Sequence, residues 1–172
     1  PGVMEHRAFR DLPDYLRPGD LMVFNTSGVL PAKIQGRRAE TGAQVEGLFI
    51  KARSPGVWEL MLKTGTKLRP GTVIELDDAH GKACGVALRI EERAEERWVA
   101  AVLDLAGGAV IERPEGGVLA KVGATPLPPY IRRARKEAGD TTDDELDRAW
   151  YQCVYAEGAE TGGSVAAPTA GL

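Results

Sequence analysis

Thr125-Pro126-Leu127-Pro128-Pro129-Tyr130-Ile131-Arg132-Arg133 divides this chain of 172 residues into two unlike parts. Three prolines in four positions fix φ and remove backbone donors, so the stretch reads as neither helix interior nor central strand. It predicts an extended, polyproline-like strut that delivers Tyr130 and two arginines to a defined place. Taken alone, the same residues also fit a spacer between domains. Short apolar runs of strand length precede it; a helix and a glycine-rich tail follow.

Upstream of the strut, from position 34 to about 112, the pattern is that of a small β unit. Strand-length runs cover 45–51, 57–63, 72–76, 83–90 and 98–103, and 110–111 is read as a closing strand. Trp58, Leu60 and Leu62 alternate with Glu59, Met61 and Lys63, a period of two. Ser54-Pro55-Gly56, Arg69-Pro70-Gly71 and Pro114-Glu115-Gly116-Gly117 supply turn chemistry between or after the runs. Six short strands spaced by about a dozen residues argue a small antiparallel barrel. Residues 118–124 then lead into the strut.

Further upstream, 9–16 reads as a short helix with Asp11 as N-cap near Pro13. Arg17-Pro18-Gly19-Asp20 ends it in a turn. The continuous apolar run Leu21-Met22-Val23-Phe24 predicts a buried strand. Asn25-Thr26-Ser27-Gly28 breaks that strand, and 29–33 resumes an extended path. Open α/β sheets put ligand contacts at such strand ends, and a plain turn explains the same residues.

Downstream, Thr142-Asp143-Asp144-Glu145 has capping-box spacing with acidic residues in the first turn. Leu146, Ala149, Trp150, Cys153 and Val154 recur at helical spacing and predict an apolar stripe against a core. Residues 157–163 read as a flexible loop. Small residues around Pro168-Thr169-Ala170-Gly171 permit close approach of a backbone or ligand.

Composition narrows the function. With 43% hydrophobic and 27% charged residues the chain is globular, and no apolar run approaches the length that spans a bilayer. The absence of a signal-like opening and the distant pair Cys84 and Cys153 point to a cytoplasmic protein with reduced thiols. His6 and His80 are too isolated for a metal site. A net charge of −3 leaves contact with nucleic acid to local patches: Arg37-Arg38, the Lys63/Lys67/Arg69 group, or Arg132, Arg133, Arg135 and Lys136. The first two groups read as solvated faces. Dinucleotide-binding, phosphate-loop and nucleophile-elbow motifs are all lacking. From the residues alone the chain is a two-part α/β and β-barrel protein suited to ligand binding.

Three stretches, in this order, carry a resemblance. They are Leu16-Arg17-Pro18-Gly19-Asp20-Leu21 with Val23-Phe24-Asn25 and Val29-Leu30-Pro31-Ala32-Lys33; Pro126-Leu127-Pro128-Pro129-Tyr130-Ile131 with Tyr151-Gln152-Cys153-Val154-Tyr155-Ala156; and Val165-Ala166-Ala167-Pro168-Thr169-Ala170-Gly171-Leu172. Together they resemble the S-adenosylmethionine:tRNA ribosyltransferase-isomerase family of queuosine biosynthesis. Thr41-Gly42, Val45-Glu46 and Trp58-Glu59-Leu60 look like that family's inserted barrel. The resemblance covers nearly all of this chain but about half of the family's length, and both chain ends look cut.

The resemblance implies an incomplete α/β domain (1–33 and 116–172) with an inserted small antiparallel β-barrel (34–115). It implies S-adenosylmethionine as a substrate, no cofactor or metal, and tRNA carrying 7-aminomethyl-7-deazaguanine as partner of a cytoplasmic monomer that touches no membrane. Asn25, Ser27, Lys33, Tyr130, Arg132, Arg133, Tyr151, Gln152, Thr169 and Gly171 become the candidate substrate-binding residues; no general base is assigned. One departure stands out. The family usually has an acidic residue, then Thr or Ser, then Lys or Arg before Val29, where this chain has Thr26, Ser27 and Gly28. A non-catalytic RNA-binding fragment or a degenerate paralogue is the alternative reading.

Overall fold

The computed structural model describes residues 4–65, 67–156 and 163–167. Six strands form its main body: β2 (Lys33–Arg38), β3 (Gln44–Ser54), β4 (Val57–Thr64), β5 (Val73–Asp77), β6 (Ala83–Ala94) and β7 (Arg97–Asp104). They pair antiparallel in the order β3-β4-β7-β6-β5-β2, and β2 also pairs β3, so the sheet closes into a barrel. Where β2 runs beside β5, a Cβ on Gly36 would overlap the Glu75 carbonyl oxygen. A side chain does not fit there.

The alternating period read from the sequence is the reason the barrel has an inside. Trp58, Leu60, Ile74, Leu76, Leu88, Ile90 and Val102 are buried in one cluster, with Phe49 edge-on to Trp58 at 5.1 Å. Burying each such aliphatic side chain contributes about 1.5–3 kcal/mol. Helix α1 (Glu115–Val122) joins the cluster through Val118, Leu119 and Val122. The expected α/β plus all-β arrangement is therefore present. A two-stranded parallel sheet completes it, pairing β1 (Gly28–Val29) with β9 (Gly163–Ser164).

Several local expectations are corrected. Residues 110–111 form only an isolated bridge from Val110 to Leu103, and β2, unread in the sequence, supplies the sixth barrel strand. Pro114 to Gly117 is not a breaker but the approach and first turn of α1. Residues 21–24 are not a buried strand: Leu21 and Val23 are almost wholly exposed, and no strand pairs with them among the described residues. Residues Phe9–Tyr15 form a 3₁₀ helix in which Asp11 lies three residues past the cap, accepting a hydrogen bond from Ala8 N–H at 3.0 Å.

The proline strut is shorter than its sequence suggested. Only 125–128 runs free between β8 (Gly123–Ala124) and α2 (Pro129–Ala138). Pro129 occupies the first helical position, where its missing N–H and fixed φ suit a helix start. Tyr130, Arg132 and Arg133 are thus helical residues. Helix α2 ends on Gly139, left-handed at φ 66°.

Helix α3 (Asp144–Trp150) also reverses an expectation. Asp143 is its N-cap, and the Thr142 hydroxyl donates to Asp140 rather than capping. The apolar stripe faces outward: Trp150 is 69% and Val154 80% exposed, and Leu146 is exposed as well. Asp147 and Cys153 are the buried members of this region. The reason is polar. Asp144, Asp147 and Arg148 fall at i, i+3 and i+4, so they share one face, and that face is turned inward to bind other elements.

Candidate functional site

A cleft of about 510 Å³ opens between the barrel wall and the strut, within the size range of small-molecule sites. From the barrel come Lys33 of β2, Glu46 and Leu48 of β3, and Met61, Leu62 and Lys63 of β4. Glu96 enters from the β6–β7 turn. Pro126, Leu127, Pro128 and Pro129 line it with Arg132 of α2, Tyr151, Val165 and Ala166. Three cations, two carboxylates and a phenol thus meet in a largely aliphatic surround.

The strut stays in position because its first residue is tied down. Asp144 accepts a hydrogen bond from Thr125 N–H at 2.7 Å and from Arg148 Nε at 2.6 Å. Arg148 also donates to the carbonyls of Gly123 and Ala120, joining β8 and α1 to α3. Burial would raise the Asp144 carboxyl, but the Thr125 N–H and the Arg148 guanidinium outweigh it and hold the pKa below its ordinary value. Arg135 of α2 donates to both oxygens of Asp147, at 2.7 and 2.5 Å, fixing the turn of α2 that carries Arg132. That hydrogen bonding raises the Arg135 pKa against the opposing effect of burial.

The candidate residues separate into groups. Lys33, Arg132 and Tyr151 line the cleft. Gln152 spends its amide on structure: Val29 N–H donates to its oxygen at 2.7 Å, and its nitrogen donates to the carbonyls of Val29 and Arg148. Asn25 and Ser27 form a local turn, with Ser27 N–H donating to the Asn25 side chain, while the Cys153 thiol donates to the Asn25 carbonyl at 3.0 Å. Neither borders the cleft. Tyr130 and Arg133 are exposed on α2 and do not line it either. Thr169 and Gly171 lie outside the described residues. Arg135, read as part of a basic patch, is committed to Asp147 and Asp140.

Glu46, Lys63 and Glu96 were missed as site residues. Glu46 faces Lys63 across the β3–β4 ladder. Counting back from the turn at 55–56 does not find that pair, because register shifts near Ile50 and Arg53 add residues to β3. Glu96 looked like one more solvated charge in the acidic run 91–96. Among the described residues no group of three or more His, Cys, Asp or Glu side chains is arranged to hold a metal, and no helix is long and apolar enough to cross a membrane.

Fold and cleft together define a barrel-bearing α/β protein with a charged and aliphatic binding cleft between its two parts. Over residues 1–172 the chain matches the family described as queuosine biosynthesis protein, and it belongs to that family. It is 39% identical over 171 residues to the S-adenosylmethionine:tRNA ribosyltransferase-isomerase of Dehalococcoides mccartyi, covering 99% of this chain and 43% of that protein. It is 40% identical over 172 residues to the protein of the same name from Thermus thermophilus, covering 100% and 44%. The corresponding figures for Phenylobacterium zucineum are 38% over 170 residues, 96% and 44%. The chain therefore spans under half the length of these relatives.

Proposed function

We propose that this chain contributes the barrel and one wall of the active cleft to an enzyme that moves the ribosyl group of S-adenosylmethionine onto tRNA. The acceptor is 7-aminomethyl-7-deazaguanine at the wobble position, and the product is epoxyqueuosine. The observation that carries the reading is the match along the whole chain to the queuosine family, at about 40% identity to relatives named for this reaction. The cleft chemistry supports it.

S-adenosylmethionine brings a sulfonium that acidifies the neighbouring C5′ hydrogens, so a base can generate a stabilised ylide. Adenine then leaves, the aminomethyl amine attacks the sugar, and methionine departs as the epoxide closes. Such a site needs a carboxylate to move a proton and to sit near the sulfonium, and donors for the leaving base. Glu46 and Glu96 supply the first and Tyr151 and Arg132 the second. Lys33 and Lys63 suit the methionine carboxylate or an RNA phosphate. S-adenosylmethionine is a substrate on this reading, with no metal or cofactor required, and the enzyme acts as a cytoplasmic monomer. Gln152, Asn25 and Ser27 act from behind, holding β1 and the loop before it.

The test is direct. The protein carrying this chain, given S-adenosylmethionine and tRNA bearing the aminomethyl base, should release one adenine per modified tRNA. No adenine, beside an active relative in the same assay, would reject the reading.

A further inference from the structure

A second groove, of about 640 Å³, opens at one end of the barrel and shares Leu62, Lys63 and Glu96 with the cleft. The β4–β5 connection contributes Lys67 and Arg69 to it, and the β6–β7 hairpin contributes Arg93 and Trp98. Lys63, Lys67, Arg69 and Arg93 give it four cations against the single carboxylate of Glu96. Among the described residues none of the four is engaged in an ion pair. Elsewhere on the barrel several cations are neutralised: Glu59 takes Lys51, Arg53 and Arg97, and Glu91 takes Arg89. In a chain of net charge −3, this groove is locally basic and directly continuous with the candidate active cleft.

We infer that this groove holds the sugar-phosphate backbone of RNA beside the nucleotide that enters the cleft. The inference rests on the proposed reaction and adds the surface by which the polynucleotide is held. Arg93 lies over the Trp98 ring at 5.5 Å, and its Nε donates to the Glu95 carbonyl. These contacts hold the guanidinium in place while leaving its terminal nitrogens available. They also occupy the Trp98 face, so the groove offers phosphate contacts rather than base stacking. Its grip is accordingly indifferent to sequence and sensitive to salt.

The variant K67Q/R69Q/R93Q removes three exposed cations that lie outside the cleft. With an unmodified tRNA transcript, we expect its affinity at about 150 mM salt to fall on the order of 100-fold. The slope of log affinity against log salt should become shallower by about 2–3. With modified tRNA, KM for tRNA should rise while KM for S-adenosylmethionine and kcat at saturating tRNA hold. A K82Q/R113Q control should match the wild type, and all three proteins should share one melting temperature. Unchanged affinity and slope in the triple variant would overturn the groove assignment and leave the catalytic reading standing. A wild type that binds tRNA through these residues yet releases no adenine would sustain the groove and reject the catalytic reading. A wild type that binds no tRNA would overturn the groove.

Discussion

Glu59 shows how far one side chain can depart from what its neighbours in sequence suggest. It alternates with Trp58 and Leu60, which fill the barrel, so it lies on the outer wall; yet it is only 6% exposed. Arg97 donates to it at 2.6 Å and Arg53 at 3.2 Å, with Lys51 at 3.7 Å. The Arg97 hydrogen bond, reinforced by Arg53 and Lys51 and opposed by burial, holds its carboxyl below the ordinary 4.5. A carboxylate with a depressed folded-state pKa stabilises the fold above its unfolded pKa. That stabilisation is lost as pH falls through the folded value. The melting temperature of the wild type should therefore exceed that of E59Q near neutral pH, and the gap should narrow below about pH 4.5. A gap that stays constant down to about pH 3 would show that the cluster acts by packing alone.

Among the elements, two glycines separate close approach from backbone conformation. Gly36 sits where β2 pairs with β5, and an added methyl would overlap the Glu75 carbonyl. Gly139 ends α2 at φ 66° with open space around the site of a Cβ. Gly36→Ala should thus destabilise by about 3 kcal/mol through overpacking. Gly139→Ala should cost about 1 kcal/mol, the strain of a left-handed residue. Denaturant titrations of the two variants would check the order; equal losses would contradict the assigned causes. The same elements show what sequence could and could not tell. The other five barrel strands, β3 to β7, were legible because alternation and Pro-Gly turns both report local geometry. Strand β2 was not, since Lys33-Ile34-Gln35-Gly36-Arg37-Arg38 has one large apolar residue and needs a glycine for a contact far away in sequence. Helix α1 was hidden by Gly116-Gly117 and α2 by the prolines that open it, whereas α3 was read as a helix and only the direction of its apolar stripe was not, since that stripe faces outward. Of the cleft, Lys33, Arg132 and Tyr151 were legible beside the proline strut. Glu46 and Lys63 were not, because their pairing depends on bulges.

At the scale of the molecule, α1 joins the barrel through apolar side chains, whereas α3 is held to its neighbours by polar contacts. Asp144, Asp147, Arg148 and Gln152 bind β8, α2, α1 and β1 respectively, directly or through a guanidinium. The barrel, by contrast, is closed by its own ladder and aliphatic core. These two kinds of cohesion should fail separately. Asp144→Ala leaves Thr125 N–H without its acceptor and Arg148 without its carboxylate, and should cost the helical part about 2–3 kcal/mol. Because the lost bonds lie outside the barrel, amide exchange should quicken at Thr125 and across β1 and β8. Barrel amides such as Leu60, Leu88 and Val102 should keep their protection. If those barrel amides lost protection equally, the two parts would unfold as one cooperative unit. The cleft wall would then be set by the barrel core, not by the polar face of α3.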